Sequence, residues 1–140
     1  MNIRVPIQQG ELTLEAQLNY TEREDGQCEV GVLHSGERLS ALAGDFFEAL
    51  LAVRVQLESR GLLLGVRGAT RDVWPSAMSR QMGSGLQAYR MALGRQAFSA
   101  DLVNIFETSS DVVPATIRTQ TEYRDAWFNS LGGESNGAAV

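Results

Sequence analysis

The first third of the chain alternates apolar and polar residues. Ile3, Val5 and Ile7 are spaced two residues apart, and after a turn at residues 8–10 the alternation resumes. Its apolar positions are then Leu12, Leu14, Ala16, Leu18 and Tyr20, followed beyond a charged turn by Cys28, Val30 and Val32. A period of two is the spacing of strands with one buried face. The pattern therefore predicts an antiparallel three-stranded meander whose other face meets water.

A helical spacing replaces this alternation over residues 40–60. The apolar positions that recur about every 3.6 residues are Leu39, Leu42, Ala43, Phe46, Leu50, Val53 and Leu57. Ser40 is the predicted N-cap, and Gly61 suits the left-handed position that ends many helices. Since Phe47, Leu51 and Val55 widen the apolar stripe, this helix and the meander are expected to supply most of the core.

The second half contains shorter elements. Residues 62–66 form an apolar run that predicts a buried strand, and residues 86–93 and 103–107 are predicted to form two further strands. Asp72 is the expected cap of a short helix over residues 75–82, which the Gly-Ser-Gly sequence at 83–85 ends. Thr119 with Glu122 matches the capping box of a last helix, and Tyr123, Trp127 and Leu131 lie on one of its stripes.

These elements predict an α+β fold. Its mainly antiparallel sheet would contain the N-terminal three-stranded meander plus the later strands, packed against one long and two shorter helices. The chain of 140 residues has the size of one domain. We expect this domain to occupy residues 1–132 and residues 133–140 to form a disordered tail.

Composition narrows the function classes. All twelve basic residues are arginine, which excludes Schiff-base chemistry and the P-loop because both need lysine. A pI near 4.8 argues against general nucleic-acid binding. The single cysteine cannot form an internal disulfide, no signal peptide is visible, and the most apolar helical segment contains charges. A cytoplasmic protein with no membrane segment is expected.

Charge divides unevenly along the chain. The segment from residue 60 to residue 95 holds six arginines and one acid, a formal charge of +5, whereas the remainder carries −10. Arg67, Arg71 and Arg80 beside a helix N-terminus would suit an anion. They would equally suit a basic face that pairs with acids elsewhere in the chain. Trp74 and Tyr89 add residue types that are enriched in protein interfaces, although packing explains them as well.

Catalytic and metal signatures are weak. His34 is the only histidine, and six residues of extended strand would place it roughly 20 Å from Cys28. One cysteine and one histidine do not complete a closed zinc site. The glycines at 65–68 and 83–85 lack the spacing of a dinucleotide-binding loop. The pairs of neighbouring carboxylates fit turns and the solvated edge of a helix, and these positions explain them without a catalytic role. We predict no catalytic residue, no metal ligand and no cofactor.

The segment over residues 65–107 resembles small bacterial immunity-type proteins that are paired with polymorphic, contact-dependent or type VI secreted toxins. The shared order is G-A-x-x-D-V-x-P-S-x-M-x-x-x-M-x-x-G-x-x-A-Y. Its positions here are Gly68, Ala69, Asp72, Val73, Pro75, Ser76, Met78, Met82, Gly85, Ala88 and Tyr89. The resemblance covers about a third of the chain. It implies a cytoplasmic protein that binds a cognate toxin domain and blocks it.

The first hypothesis is therefore a non-catalytic immunity protein that binds a toxin domain and neither nucleic acid nor membrane. Its predicted partner-binding residues are Arg67, Arg71, Asp72, Trp74, Arg80 and Tyr89. The alternative is a small anion- or phosphate-binding enzyme or sensor that uses Arg67, Arg71 and Arg80. A third possibility is a subunit that docks on a neighbour through its wide apolar helix, since the sequence leaves the oligomeric state open.

Overall fold

The computed structural model describes residues 1–132. In chain order the elements are β1 (Asn2–Gln9), β2 (Leu12–Glu22), β3 (Cys28–His34), β4 (Glu37–Ala43), α1 (Phe46–Glu58), β5 (Leu62–Leu64), β6 (Val73–Trp74), α2 (Ala77–Met82), β7 (Gln87–Arg90), β8 (Leu102–Asn104) and α3 (Ile117–Ser130). The predicted α+β class with antiparallel pairing is confirmed. The tail predicted over residues 133–140 lies outside the described residues.

Five strands form the larger sheet, in the order β4-β3-β2-β1-β5. The register places Val5 opposite Ala16 and Leu18 opposite Val32, so the apolar members of the alternation share one face. Helix α1 packs against this face through β3, β4 and β5, while residues such as Gln17 on the other face are exposed. The predicted meander is confirmed and gains two strands.

The predicted helix start at Ser40 is wrong because this residue lies in β4. Ser35 and Gly36 form a two-residue turn with φ of 52° and 79°, the geometry of a tight hairpin, and His34 pairs with Glu37 across it. The N-cap of α1 is Asp45, whose side chain accepts a hydrogen bond of 2.7 Å from the Glu48 amide. Gly61 has the predicted left-handed conformation, with φ of 75°.

Three strands form a smaller sheet in the order β6-β7-β8. The predicted strands over 86–93 and 103–107 are shorter than expected, and the two-residue β6 was not anticipated. Both sheets contribute to one core: the ring of Phe106 stacks on Tyr20 with centroids 4.1 Å apart, and Phe47 of α1 contacts Trp74 edge-on at 4.9 Å. The helix α1 and its aromatic side chains thus join the two sheets.

Two helix caps differ from prediction. Ser76, not Asp72, caps α2 by accepting a hydrogen bond of 3.0 Å from the Ser79 amide. Thr116, not Thr119, caps α3, so this helix begins one turn early and at 14 residues is one longer than α1. Its predicted apolar stripe is confirmed, because Trp127 is buried with Met91 and Ala97 in a second small cluster.

Candidate functional site

A cleft of about 750 Å³ opens where the chain after β5 faces the loop that leads into α3. We call it the arginine cleft. Its lining includes the charged residues Arg67, Arg71, Asp72, Arg90 and Asp111, together with Leu63, residues 113–116 and Thr119. Three of the six residues predicted for partner binding, Arg67, Arg71 and Asp72, therefore lie in one place. Sequence reasoning missed Arg90, which lies 23 positions after Arg67 and gave no local signal.

Arg67 is neutralised within the fold. Its guanidinium donates to Asp111 at 3.1 Å, to Ser109 at 3.0 Å and to Glu107 at 3.3 Å. The hydrogen bond to Asp111 is the main reason why the pKa of Arg67 is raised. Hydrogen bonds from the Ser109 hydroxyl and from Arg67 lower the pKa of Asp111 to about 2. Since four of its hydrogen bonds go to these three side chains, Arg67 has little capacity left for a ligand.

Arg71 and Arg90 differ from Arg67 in their ion pairing. Within residues 1–132, neither has a carboxylate oxygen within the 4.0 Å that defines an ion pair. The guanidinium carbon of Arg71 lies 4.6 Å from the centroid of the Tyr123 ring, which is a cation–π contact. Val73 is the cross-strand partner of Arg90, and Arg71 precedes Val73 by two residues. Both arginines are exposed, and they supply the available positive charge of the cleft.

A buried polar pair fixes the walls of the cleft. Arg54 of α1 is 2% exposed and donates to Gln120 of α3 and, at 2.9 Å, to the carbonyl of Ala115. The amide of Gln120 donates to the carbonyls of Gly68 and Val73 at 3.0 and 2.7 Å. Burial lowers the pKa of Arg54 to about 10, well above neutrality, so the charge remains. The pair ties α1 and α3 to both sides of the cleft.

The sequence contained a signal for this pair. Arg54 follows the apolar Leu50 by four residues and precedes Leu57 by three, a spacing that places all three side chains on one helix face. A charged residue in such a stripe needs a buried partner. The periodicity did not identify the partner, because Gln120 lies 66 positions away.

Arg80 lies outside the arginine cleft, at the N-terminus of α1. Its Nε donates to Asp45 at 3.0 Å, its terminal nitrogen pairs with Glu48, and its guanidinium carbon is 5.6 Å from the Phe47 ring centroid. The structure thus separates Arg80 from Arg67 and Arg71, so the three arginines of the anion hypothesis do not form one cluster.

Arg80 instead holds α2, whose apolar residues are exposed. No residue of α2 is buried, and Met78 and Met82 are 67% and 82% exposed. The helix is anchored by the ion pairs of Arg80 and by two backbone bonds, from Gly85 to Ser79 at 3.0 Å and from Phe46 to Ser84 at 2.7 Å. Its position is therefore fixed by polar contacts, and its two methionines face solvent.

Trp74 and Tyr89 have mainly structural positions. They are cross-strand partners in β6 and β7, and both are half-buried against the Met91–Trp127 cluster. The guanidinium carbon of Arg124 lies 4.6 Å from the Trp74 ring centroid. Trp74 also borders a second cavity of about 530 Å³ with Arg124 and Phe128.

The remaining candidates for chemistry are dispersed. Cys28 and His34 occupy opposite ends of β3, and burial raises the pKa of the Cys28 thiol. The Ser35 hydroxyl lies 3.3 Å from Nε2 of His34. In the part of the chain that the structure describes, no three His, Cys, Asp or Glu side chains are grouped so as to hold a metal ion. No helix over residues 1–132 is both long and apolar enough to cross a membrane.

No protein-family model matches the chain, and no curated protein matches it. The likeness to immunity-type proteins stays a prediction from the sequence.

Proposed function

We propose that this chain is a non-catalytic binding protein of the immunity type, which neutralises a cognate bacterial toxin domain by direct contact. The observation that carries the proposal is the exposure of Met78 and Met82 on a helix with no buried side chain. A surface helix of a globular protein usually turns its apolar stripe towards the core. Here the apolar stripe is turned towards solvent, which is the arrangement of a surface that a partner covers.

The two methionines suit this role. Positions four residues apart lie on the same helix face, and methionine adapts its shape to a partner surface. Because ion pairs from Arg80 and the Ser76 cap already hold α2 in place, the helix loses little freedom on binding. Both methionines also belong to the M-x-x-x-M part of the sequence order that resembles immunity-type proteins.

The predicted binding residues divide into two roles in this proposal. Arg80 orients α2, while Trp74 and Tyr89 form the strand pair that precedes and follows it. Arg71 and Asp72 belong to the arginine cleft and are not needed for contact through α2. The residues predicted from the sequence thus include those that hold α2 in place. They do not include Met78 and Met82, which would contact the toxin.

The proposal is tested with the toxin domain that we expect the neighbouring gene to encode. The wild-type chain should bind this domain in isothermal titration calorimetry and restore growth to cells that express it. The double variant Met78→Gln, Met82→Gln should bind at least about tenfold more weakly. Its melting temperature should match that of the wild type, because both side chains are exposed.

The matched control is Leu12→Gln, Val55→Gln, which changes two exposed apolar residues on other elements. This variant should retain the wild-type affinity. Absence of binding by the wild-type chain would contradict the proposed function. Equal affinity of all three proteins would contradict the proposed surface.

A further inference from the structure

The arginine cleft contains two arginines that form no ion pair among the described residues. Among the six arginines between residues 60 and 95, four have carboxylate partners: Arg60 with Glu37, Arg67 with Asp111, Arg80 with Asp45 and Arg95 with Asp101. Arg71 and Arg90 have none within residues 1–132. The chain has 17 acidic and 12 basic residues, so acids are in excess. Arg71 and Arg90 also line the same cleft, and this combination indicates a site for an external anion.

The two guanidinium groups are positioned for joint binding. Stacking on Tyr123 restrains Arg71 and leaves the N–H groups at the edge of its guanidinium available. Arg90 is restrained at its backbone by the β6–β7 ladder. Since Arg71 is two residues from the cross-strand partner of Arg90, their side chains start from adjacent positions. Paired arginines recognise carboxylate and phosphate groups through charge-assisted hydrogen bonds.

The remainder of the lining favours an anion with an apolar part. The apolar side chains of Leu63, Val113 and Pro114 line the same cleft, whose volume of about 750 Å³ lies within the range of small-molecule sites. Asp72 also lines the cleft and accepts a hydrogen bond of 3.4 Å from the Thr70 hydroxyl. Its single carboxylate does not offset the two unpaired arginines.

We propose that the arginine cleft binds a small organic anion. Arg71 and Arg90 hold its carboxylate or phosphate group, and its apolar part lies against Val113 and Pro114. This site differs from the anion site predicted from the sequence, because Arg90 takes the place of Arg67 and Arg80. It goes beyond the proposed toxin-binding function and does not depend on it.

The test is a titration of the full chain with benzoate, adenosine monophosphate and inorganic phosphate, followed by NMR and calorimetry. Benzoate or the nucleotide should shift the backbone amides of Ala115 and Thr119 in a saturable manner. The variant Arg71→Gln, Arg90→Gln should lose roughly tenfold or more in affinity. Arg4→Gln, Arg23→Gln is the control with the same change of charge. It alters two exposed arginines outside the cleft and should bind as the wild type does.

Saturable binding of benzoate alone would identify a carboxylate ligand, and binding of the nucleotide alone a phosphate ligand. Lack of saturable shifts with all three probes at millimolar concentration would overturn the proposal. So would an equal loss of affinity in the control variant, since this would indicate general charge attraction. Inorganic phosphate that binds as tightly as the organic probes would overturn the apolar part of the site. None of these outcomes affects the test of α2, which uses other residues and another ligand.

Discussion

At the scale of single residues, the main polar feature of the interior is the contact between Arg54 and Gln120. Both side chains are buried. Arg54 donates to Gln120, and the two side chains donate to the backbone carbonyls of Gly68, Val73 and Ala115. A satisfied buried network of this kind restricts how the elements can pack, because any shift leaves a polar group without a partner.

We expect Arg54→Met to lower the free energy of unfolding by about 3 kcal/mol. The methionine fills much of the volume but leaves the Gln120 oxygen and the Ala115 carbonyl without their donor. Urea denaturation measures the change. The control is Arg118→Met, whose side chain is 85% exposed in its pair with Glu122; this variant should stay within about 0.5 kcal/mol of wild type. Similar losses in both variants would show that the buried network contributes nothing specific.

At the scale of elements, the hairpin of β3 and β4 decides the shape of the larger sheet. The apolar residues from 37 to 43 fit both the helical period and the strand period. Leu39, Leu42 and Ala43 fit a helix, whereas Leu39, Ala41 and Ala43 fit a strand. The strand forms because β3 offers it a full edge of partners from Cys28 to His34, and local periodicity does not contain this information.

Alanine substitutions at two glycines near this hairpin should affect the free energy of unfolding differently. Gly36 has φ of 79° and Gly44 has no positive φ, and a Cβ added at either residue would meet no atom within 4 Å. Gly36→Ala should therefore lower the free energy of unfolding by about 1 kcal/mol through backbone strain alone. Gly44→Ala should leave it unchanged or raise it by up to about 1 kcal/mol. Thermal denaturation of both variants measures the difference. A Gly36→Ala variant as stable as the wild type would contradict the left-handed turn at residues 35–36.

The boundaries of the other elements show what local sequence can predict. The helix ends predicted at Gly61 and Gly83 are confirmed. Gly61 has the left-handed conformation that glycine adopts readily, whereas Gly83 is the C-cap of α2 with φ of −117°, which any residue can adopt. The caps were misassigned at Asp72 and Thr119. Ser, Thr and Asp are all competent caps, so the choice of Ser76 and Thr116 follows from where the chain leaves the sheet.

At the scale of the whole molecule, ion pairs connect the basic segment of residues 60–95 to the acidic remainder of the chain. Arg60, Arg67, Arg80 and Arg95 each pair with an acid, and all four acids lie outside the segment between residues 60 and 95. Most of the uneven charge in the sequence is thus an arrangement that stabilises the fold. Of the six arginines in this segment, Arg71 and Arg90 are the two without an ion pair among residues 1–132.

This arrangement has a consequence at low pH. The pKa of Asp111 is lowered from its ordinary value of 3.8 to about 2, so the folded state favours its charged form. The resulting stability is complete above about pH 4 and is lost as the pH falls towards 2. We expect Asp111→Asn to show a shallower decrease of stability over this interval, measured by urea denaturation from pH 5 to pH 2.

The control for this prediction is Glu15→Gln, which removes one negative charge from an exposed position on the outer face of the larger sheet. An equal change of slope in both variants would show that net charge, and not the contact with Arg67 and Ser109, produces the effect.

The sequence by itself determined the fold class, the strands β1 to β3 and most of α1, since period and residue type act over a few neighbouring positions. It also placed Arg67, Arg71 and Asp72 in one short segment, which the structure shows lining one cleft. The tertiary structure decided which arginines keep an available charge, because that depends on acids as far as 44 positions away. It likewise brought Arg90 to the cleft and turned Met78 and Met82 outwards. Such placements depend on packing between distant elements, and no local pattern in the chain specifies them.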